Sequence, residues 1–144
     1  MKTTSPTKLS DIKRNWHIID VKDKILGRVA TQIAEVLIWK TKPYFVPYLD
    51  CGDFVVVTNA VNVQVTGKKN SQKIYMQYSG YPWGLKRKTY QQVLQENPTR
   101  IIKEAVSGML PNNKLRDSML KRLYIFAYDK HPYEDKLKIQ NAKF

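Results

Sequence analysis

The stretch Phe54-Val55-Val56-Val57-Thr58 constrains this chain more than any other. Five consecutive aromatic or β-branched residues leave no alternate polar position to face water. The segment therefore reads as a strand covered on both faces. Such strands belong to parallel or mixed sheets, whose crossover connections lay helices over the sheet. The flanking sequence supplies the partners. Trp16-His17-Ile18-Ile19-Asp20-Val21 reads as a second buried strand. Over residues 24–39, Leu26, Val29, Ala30, Ile33, Ala34 and Leu37 recur at three- and four-residue steps, the apolar stripe of a helix, with Asp23 as its N-cap. Val61, Val63 and Val65 alternate with polar residues as a half-exposed strand, and Ile74, Met76 and Tyr78 mark another.

From Ser79 to Lys88 the chain reads as a loop punctuated by Gly80, Pro82 and Gly84. Tyr90, Val93 and Leu94 suggest a short helix. Asn97-Pro98 then opens a helix whose stripe is Ile101, Ile102, Ala105, Val106 and Met109. Leu115, Met119, Leu120 and Leu123 predict a helix over 114–123, and residues 124–128 predict a last strand. This order argues for a single α/β domain over residues 16–128. A basic extension, residues 1–15, precedes it, and a charged tail, residues 129–144, follows.

Charge narrows the function. Lysine and arginine number 25 against 12 acids, a net charge of +13. An excess of that size destabilises a compact state unless a polyanion relieves it, and a nucleic acid is the expected partner. No apolar run approaches the roughly 18 residues of a membrane span, so no membrane is expected as a partner. No apolar stretch follows Met1, so a secretory leader is not expected either. Cys51 is the single cysteine, which allows no internal disulfide and fits a reducing compartment. His17 and His131 are the two histidines, too few for a multi-histidine metal centre.

The basic residues are unevenly spread. No acid occurs between Phe54 and Gln95, a stretch that carries Lys68, Lys69, Lys73, Lys86, Arg87 and Lys88. Tyr75, Tyr78, Tyr81, Trp83 and Tyr90 are interleaved with them. Cations neutralise phosphates, exposed aromatic faces stack on unpaired bases, and glycines let RNA approach the backbone closely. Tyr75 and Tyr90 are assigned to the core. Tyr78, Gly80, Trp83 and Gly84 join the six cations as candidate RNA-binding residues, the Lys86-Arg87-Lys88 triplet having no acid near it in sequence. A second cluster, Lys114, Arg116, Lys121 and Arg122, is expected to contact phosphates from a helix face. His131, before Pro132, reads as a capping or RNA-facing group.

Catalytic candidates are weak. Asp50 and Asp53 flank Cys51-Gly52 and read as turn residues, with a metal-using RNA-processing enzyme as the rival reading. Gly67-Lys68-Lys69 lacks the upstream glycine and the following hydroxyl of a phosphate loop. His17 reads as a core residue, and Cys51 has no histidine or cysteine partner in sequence. No catalytic residue, cofactor or small-molecule substrate is expected.

Four segments stand in order and in register with one another: Gly27-Arg28-Val29-Ala30-Thr31, Asp50-Cys51-Gly52-Asp53 running on to Ala60, Val65-Thr66-Gly67-Lys68, and Gly108-Met109-Leu110-Pro111. Together they resemble the large-subunit ribosomal protein thirteen family in its bacterial type, over about residues 12–133. The resemblance implies a three-layer α/β/α fold with a small, mainly parallel four-stranded sheet. It also implies a non-enzymatic role: binding large-subunit ribosomal RNA early in subunit assembly, beside neighbouring ribosomal proteins. The RNA-facing parts it implies are residues 80–88, the Gly67-Lys68-Lys69 turn and the segment after Pro111. The chain departs from the family pattern at Leu115-Arg116-Asp117, Tyr128 and Tyr133. A free RNA-binding regulator is a third reading. Richness in lysine, isoleucine, tyrosine and asparagine, with only 6 glycines, fits an AT-rich gene. The expected location is a ribosome in the plastid stroma, with the cytoplasm of a low-GC bacterium as the alternative.

Overall fold

The computed structural model describes residues 6–137, so residues 1–5 of the basic extension and 138–144 of the tail lie outside the described residues. The valine run is strand β2 (Phe54–Thr58). It occupies the centre of a parallel three-stranded sheet, between β1 (Trp16–Asp20) and β5 (Leu123–Ile125). Trp16 pairs with Phe54 and Ile18 with Val56 on one side, and Val55 pairs with Leu123 on the other. Val55, Val56 and Val57 are wholly buried, which is what an uninterrupted apolar strand requires.

One face of the sheet is covered by α1 (Leu26–Ile38) and α4 (Pro98–Met109), which touch each other. Their buried stripes, including Val29, Ile33 and Leu37 and Ile101, Ile102 and Val106, close the core against Ile19, Val55 and Val57. The opposite face is aromatic. Trp16 stacks on Phe54 at 4.5 Å and on Tyr124 at 5.7 Å, and Tyr133 stacks on Trp16 at 5.1 Å. Lys136, in the short helix Glu134–Leu137, sits 4.8 Å from the Trp16 ring. Tyr133, a departure from the family pattern, is therefore a packing residue here.

The α/β architecture with a parallel sheet is as expected, with three strands in the sheet rather than four. The alternating valines at 61–65 do not form a strand. Asn59 adopts a left-handed conformation (φ 61°), and the chain enters a 3-10 turn at Ala60–Asn62. The amides of Ala60 and Val61 are taken by the Phe126 and Ala127 carbonyls. Only a single parallel bridge follows, between Gln64 and Ile25. The same bridge explains the start of α1. The Leu26 amide donates to the Gln64 carbonyl at 2.8 Å, and the N-cap position is Ile25. Asp23 caps nothing; its carboxylate accepts from the Gln64 side-chain amide at 3.2 Å.

The segment read as a loop is half of a hairpin. A one-turn helix α2 (Lys69–Gln72) leads into β3 (Ile74–Tyr78), which pairs antiparallel with β4 (Leu85–Thr89). Helix α3 (Tyr90–Glu96) follows directly, opened by a Thr89–Gln92 capping box. The helix expected over 114–123 is shorter, α5 (Arg116–Leu120), because the chain then turns to carry Arg122 into the interior.

Candidate nucleic-acid interface

Which cations face outward depends first on which the fold consumes. Asp53 is 0% exposed. It accepts from His17 Nε2 at 2.9 Å, from the Asn15 amide at 3.1 Å and from Lys42 Nζ. Burial pushes its carboxyl up, but the hydrogen bonds from His17, Lys42 and Asn15 outweigh this and hold it below the ordinary aspartate value. Arg122 grips Asp50 through both guanidinium arms, with Nη2 to Oδ1 at 2.6 Å. It also donates to the Leu37 carbonyl at 3.2 Å and the Asp53 carbonyl at 3.3 Å. These findings correct two expectations. Asp50 and Asp53 are not simple turn residues but ion-pair partners, Asp53 buried and Asp50 partly so. Arg122 is not an RNA ligand, since it is buried and its donors are spent inside the protein. His17 is buried as expected, beside Trp39 at 4.8 Å. Among the described residues no group of three or more histidine, cysteine or acidic side chains could hold a metal ion.

Three of the predicted cations meet at one cleft. Lys68, Lys69 and Lys73, with Gln72, border a cavity of about 810 Å³. Its floor is apolar and includes Ile25, Leu26, Val65 and Met109. Gly67 holds φ at 63°, the left-handed turn that swings the chain into Lys68. Gly27, in the first turn of α1, lines the same cleft. That turn carries no acid and no side-chain cap, and the Gln64 carbonyl that takes the Leu26 amide is a neutral partner. Lys73 Nζ also lies 5.0 Å over the Tyr75 ring. Lys24 and Arg28, which sequence reasoning passes over, border a smaller hollow at the same end of α1. The acid-free first turn of that helix was their signal.

The hairpin separates the residues of the triplet. Opposed residues of an antiparallel pair share a face, and successive residues alternate. The register places Lys86 and Lys88 with Tyr75 and Gln77. Arg87 falls on the other face, with Ile74, Met76, Tyr78 and Leu85. Lys88 also has a protein partner, an ion pair with Glu96, which stands one position past the acid-free stretch. At the tip, Trp83 adopts φ 65° and Gly80 φ 87°. Tyr81 is 75% exposed and Trp83 102% exposed, while Tyr75 and Tyr90 are buried as expected. Gly84 serves the turn itself: a Cβ there would lie 1.9 Å from Ser79 Oγ.

The second cluster divides as well. Lys114 and Lys121 are exposed. Arg116 is half-buried and donates to the Pro111 carbonyl at 3.3 Å and the Leu110 carbonyl at 3.4 Å. His131 accepts at Nδ1 from the Tyr133 amide at 3.3 Å, the capping arrangement. Basic groups thus collect at the cleft, along one hairpin face and around α5.

Residues 14–132 match the family described as ribosomal protein L13. The large ribosomal subunit protein uL13 of Prochlorococcus marinus (strain MIT 9301) is 50% identical over 132 residues, 92% of each chain. That of Oleidesulfovibrio alaskensis is 51% identical over 134 residues, 93% of this chain and 92% of the other. That of Thermobifida fusca is 47% identical, covering 93% of this chain and 89% of the other.

Proposed function

The chain belongs to the ribosomal protein L13 family, and from that premise we propose how it holds ribosomal RNA. It is a structural, non-enzymatic component of the large ribosomal subunit and acts in translation. Its RNA contacts are made chiefly by the cleft of Lys68, Lys69 and Lys73. Lys86 on the hairpin, Lys114 and Lys121 beside α5, and the exposed rings of Tyr81 and Trp83 add to them. The supporting observation is that Lys68, Lys69 and Lys73 border one cleft and form no ion pair among the described residues. Fixed by the α/β core, these groups act early in assembly by letting RNA segments approach one another. Asp50 and Asp53 are saturated by Arg122, His17 and Lys42, which leaves the RNA-cleaving alternative without a base.

The test is the salt dependence of binding to protein-free large-subunit RNA. A protein making about six phosphate contacts loses on the order of a thousandfold in affinity between about 50 and 200 mM salt. Lys68→Ala, Lys69→Ala and Lys73→Ala together are expected to lower the slope of log affinity against log salt by about two to three units. Each exposed substitution is expected to change stability by no more than about 0.5 kcal/mol. An unchanged slope would move the interface elsewhere on the surface. The finer location in a plastid is supported by the lysine-, isoleucine- and asparagine-rich composition. Sedimentation of the chain with ribosomes from isolated plastids tests it.

A further inference from the structure

The outward face of the hairpin is unlike the rest of the basic surface. Ile74 (51% exposed), Met76 (65%), Tyr78 (64%) and Leu85 (45%) stand together on it in open solvent. The register sets Arg87 directly opposite Met76, within this apolar group. The Arg87 side chain makes no ion pair among the described residues, and no acid lies on either strand. Lys86 and Lys88 lie on the other face.

We propose that this face, Ile74, Met76, Tyr78 and Leu85 around Arg87, is a docking surface for another protein of the large subunit, one presenting apolar side chains around a carboxylate. Tyr78 alone on this face offers a ring on which a base could stack, and ribose and phosphate gain little from isoleucine, methionine and leucine, whereas an apolar protein surface removes all four side chains from water together. The central cation needs an anion once that water is gone, so the partner carries an acid at the matching point. A second copy of the chain does not fit, because two bodies of charge +13 repel and neither offers an acid on this face. The hairpin geometry agrees. Two strands alone are marginal in water, and this pair is tied to the body at its base, through the Tyr90 amide to the Lys73 carbonyl at 2.9 Å and the Lys88–Glu96 pair. A partner on the free face completes the burial that the chain itself does not provide.

The proposal rests on residence in the large subunit, and its test separates it from the RNA reading. Large subunits are assembled with the full chain bearing p-benzoylphenylalanine in place of Met76 or, separately, of Lys69, and incorporation is verified by sedimentation. Irradiation is expected to join position 76 to one peptide of another subunit protein, with an aspartate or glutamate close to the attachment point. Position 69 is expected to join RNA. Arg87→Glu is expected to lower incorporation in competition with wild type by at least about tenfold. Exchanging the identified partner acid for lysine should restore it. Met76→Asp is expected to bind protein-free ribosomal RNA within about twofold of wild type, because that face makes no phosphate contact. An adduct to RNA at position 76, or loss of free-RNA binding in Met76→Asp, would assign the face to RNA. No adduct at 76 in sedimenting subunits, or no rescue by the charge exchange, would also overturn the proposal. Failure at position 69 alone would count against the lysine cleft and leave the docking face standing.

Discussion

Replacing Asp53 by alanine is expected to destabilise the protein by about 3–5 kcal/mol, the cost of leaving buried positive charge without its partner. At the size of this chain that corresponds to a fall in melting temperature of roughly 10 °C or more. The carboxylate is wholly enclosed and joins four parts of the fold: its own segment, Asn15 ahead of β1, His17 within β1, and Lys42 after α1. Losing it removes the counter-charge of the Lys42 amine, which is 8% exposed at its side chain and keeps only the Lys13 and Cys51 carbonyls as acceptors. The pH dependence gives a second reading of the same site. The folded carboxyl titrates below its ordinary value of 3.8. Its contribution is therefore complete above that value and is lost as pH falls through the lower, folded one. Wild type is expected to lose stability steeply below about pH 4, and Asp53→Asn to show a shallower acid limb over the same window. Asp20 is held low as well, burial raising it while Asn59 and Lys22 lower it further, so some acid sensitivity stays in the variant. Calorimetry from pH 3 to 7 decides; superimposable curves (roughly the scatter of repeat scans) would remove Asp53 from the stabilising set.

The second large effect is at Gly52. A Cβ built there lies 1.6 Å from the Leu37 carbonyl oxygen and 3.0 Å from Arg122 Nη2. The obstacle is backbone at the end of α1, which no rotamer change relieves. Gly52→Ala must push β2 away from α1 and break the bond from Arg122 to Leu37, with an expected loss of about 3 kcal/mol or more. Gly108, near the end of α4, has open space at its Cβ position and an ordinary helical backbone. Gly108→Ala is expected to stabilise by about 0.5–1 kcal/mol, since alanine is the better helix former. Denaturant midpoints of the two variants check both signs. Equal effects would show that Gly52 is not held against Leu37.

The parts of the fold that could be read from the sequence are those written in local periodicity. The valine run, the stripes of α1 and α4, the Asn97-Pro98 helix start and the burial of Tyr75 and Tyr90 each leave a pattern within a dozen residues. The misread parts depend on contacts far along the chain. The valines at 61–65 alternate like a strand but pair with nothing beyond the single Gln64–Ile25 bridge, because the Asn59 turn directs the Ala60 and Val61 amides to the chain after β5. Arg122 looks like one more surface cation in a basic cluster, yet its acid lies 72 positions away. The hairpin was hidden by glycines and a proline that read as loop, though they form only its turn. The cleft lysines were legible as charge. Their convergence depends on α2 and the Gly67 turn, which have no periodic signature.

The order in which the chain is made has a bearing on its core. Strand β2 pairs with β1 early, but its other edge waits for Leu123–Ile125, near the described C-terminal end. Asp50 likewise has no cation until Arg122 has emerged. The hairpin closes over only a few residues and forms on the microsecond scale of local structure. During synthesis, then, the hairpin and the lysines at 68, 69 and 73 are made while the sheet is still open at one edge. Completion of the core therefore waits for a strand that begins 65 positions after β2 ends, at Leu123 against Thr58.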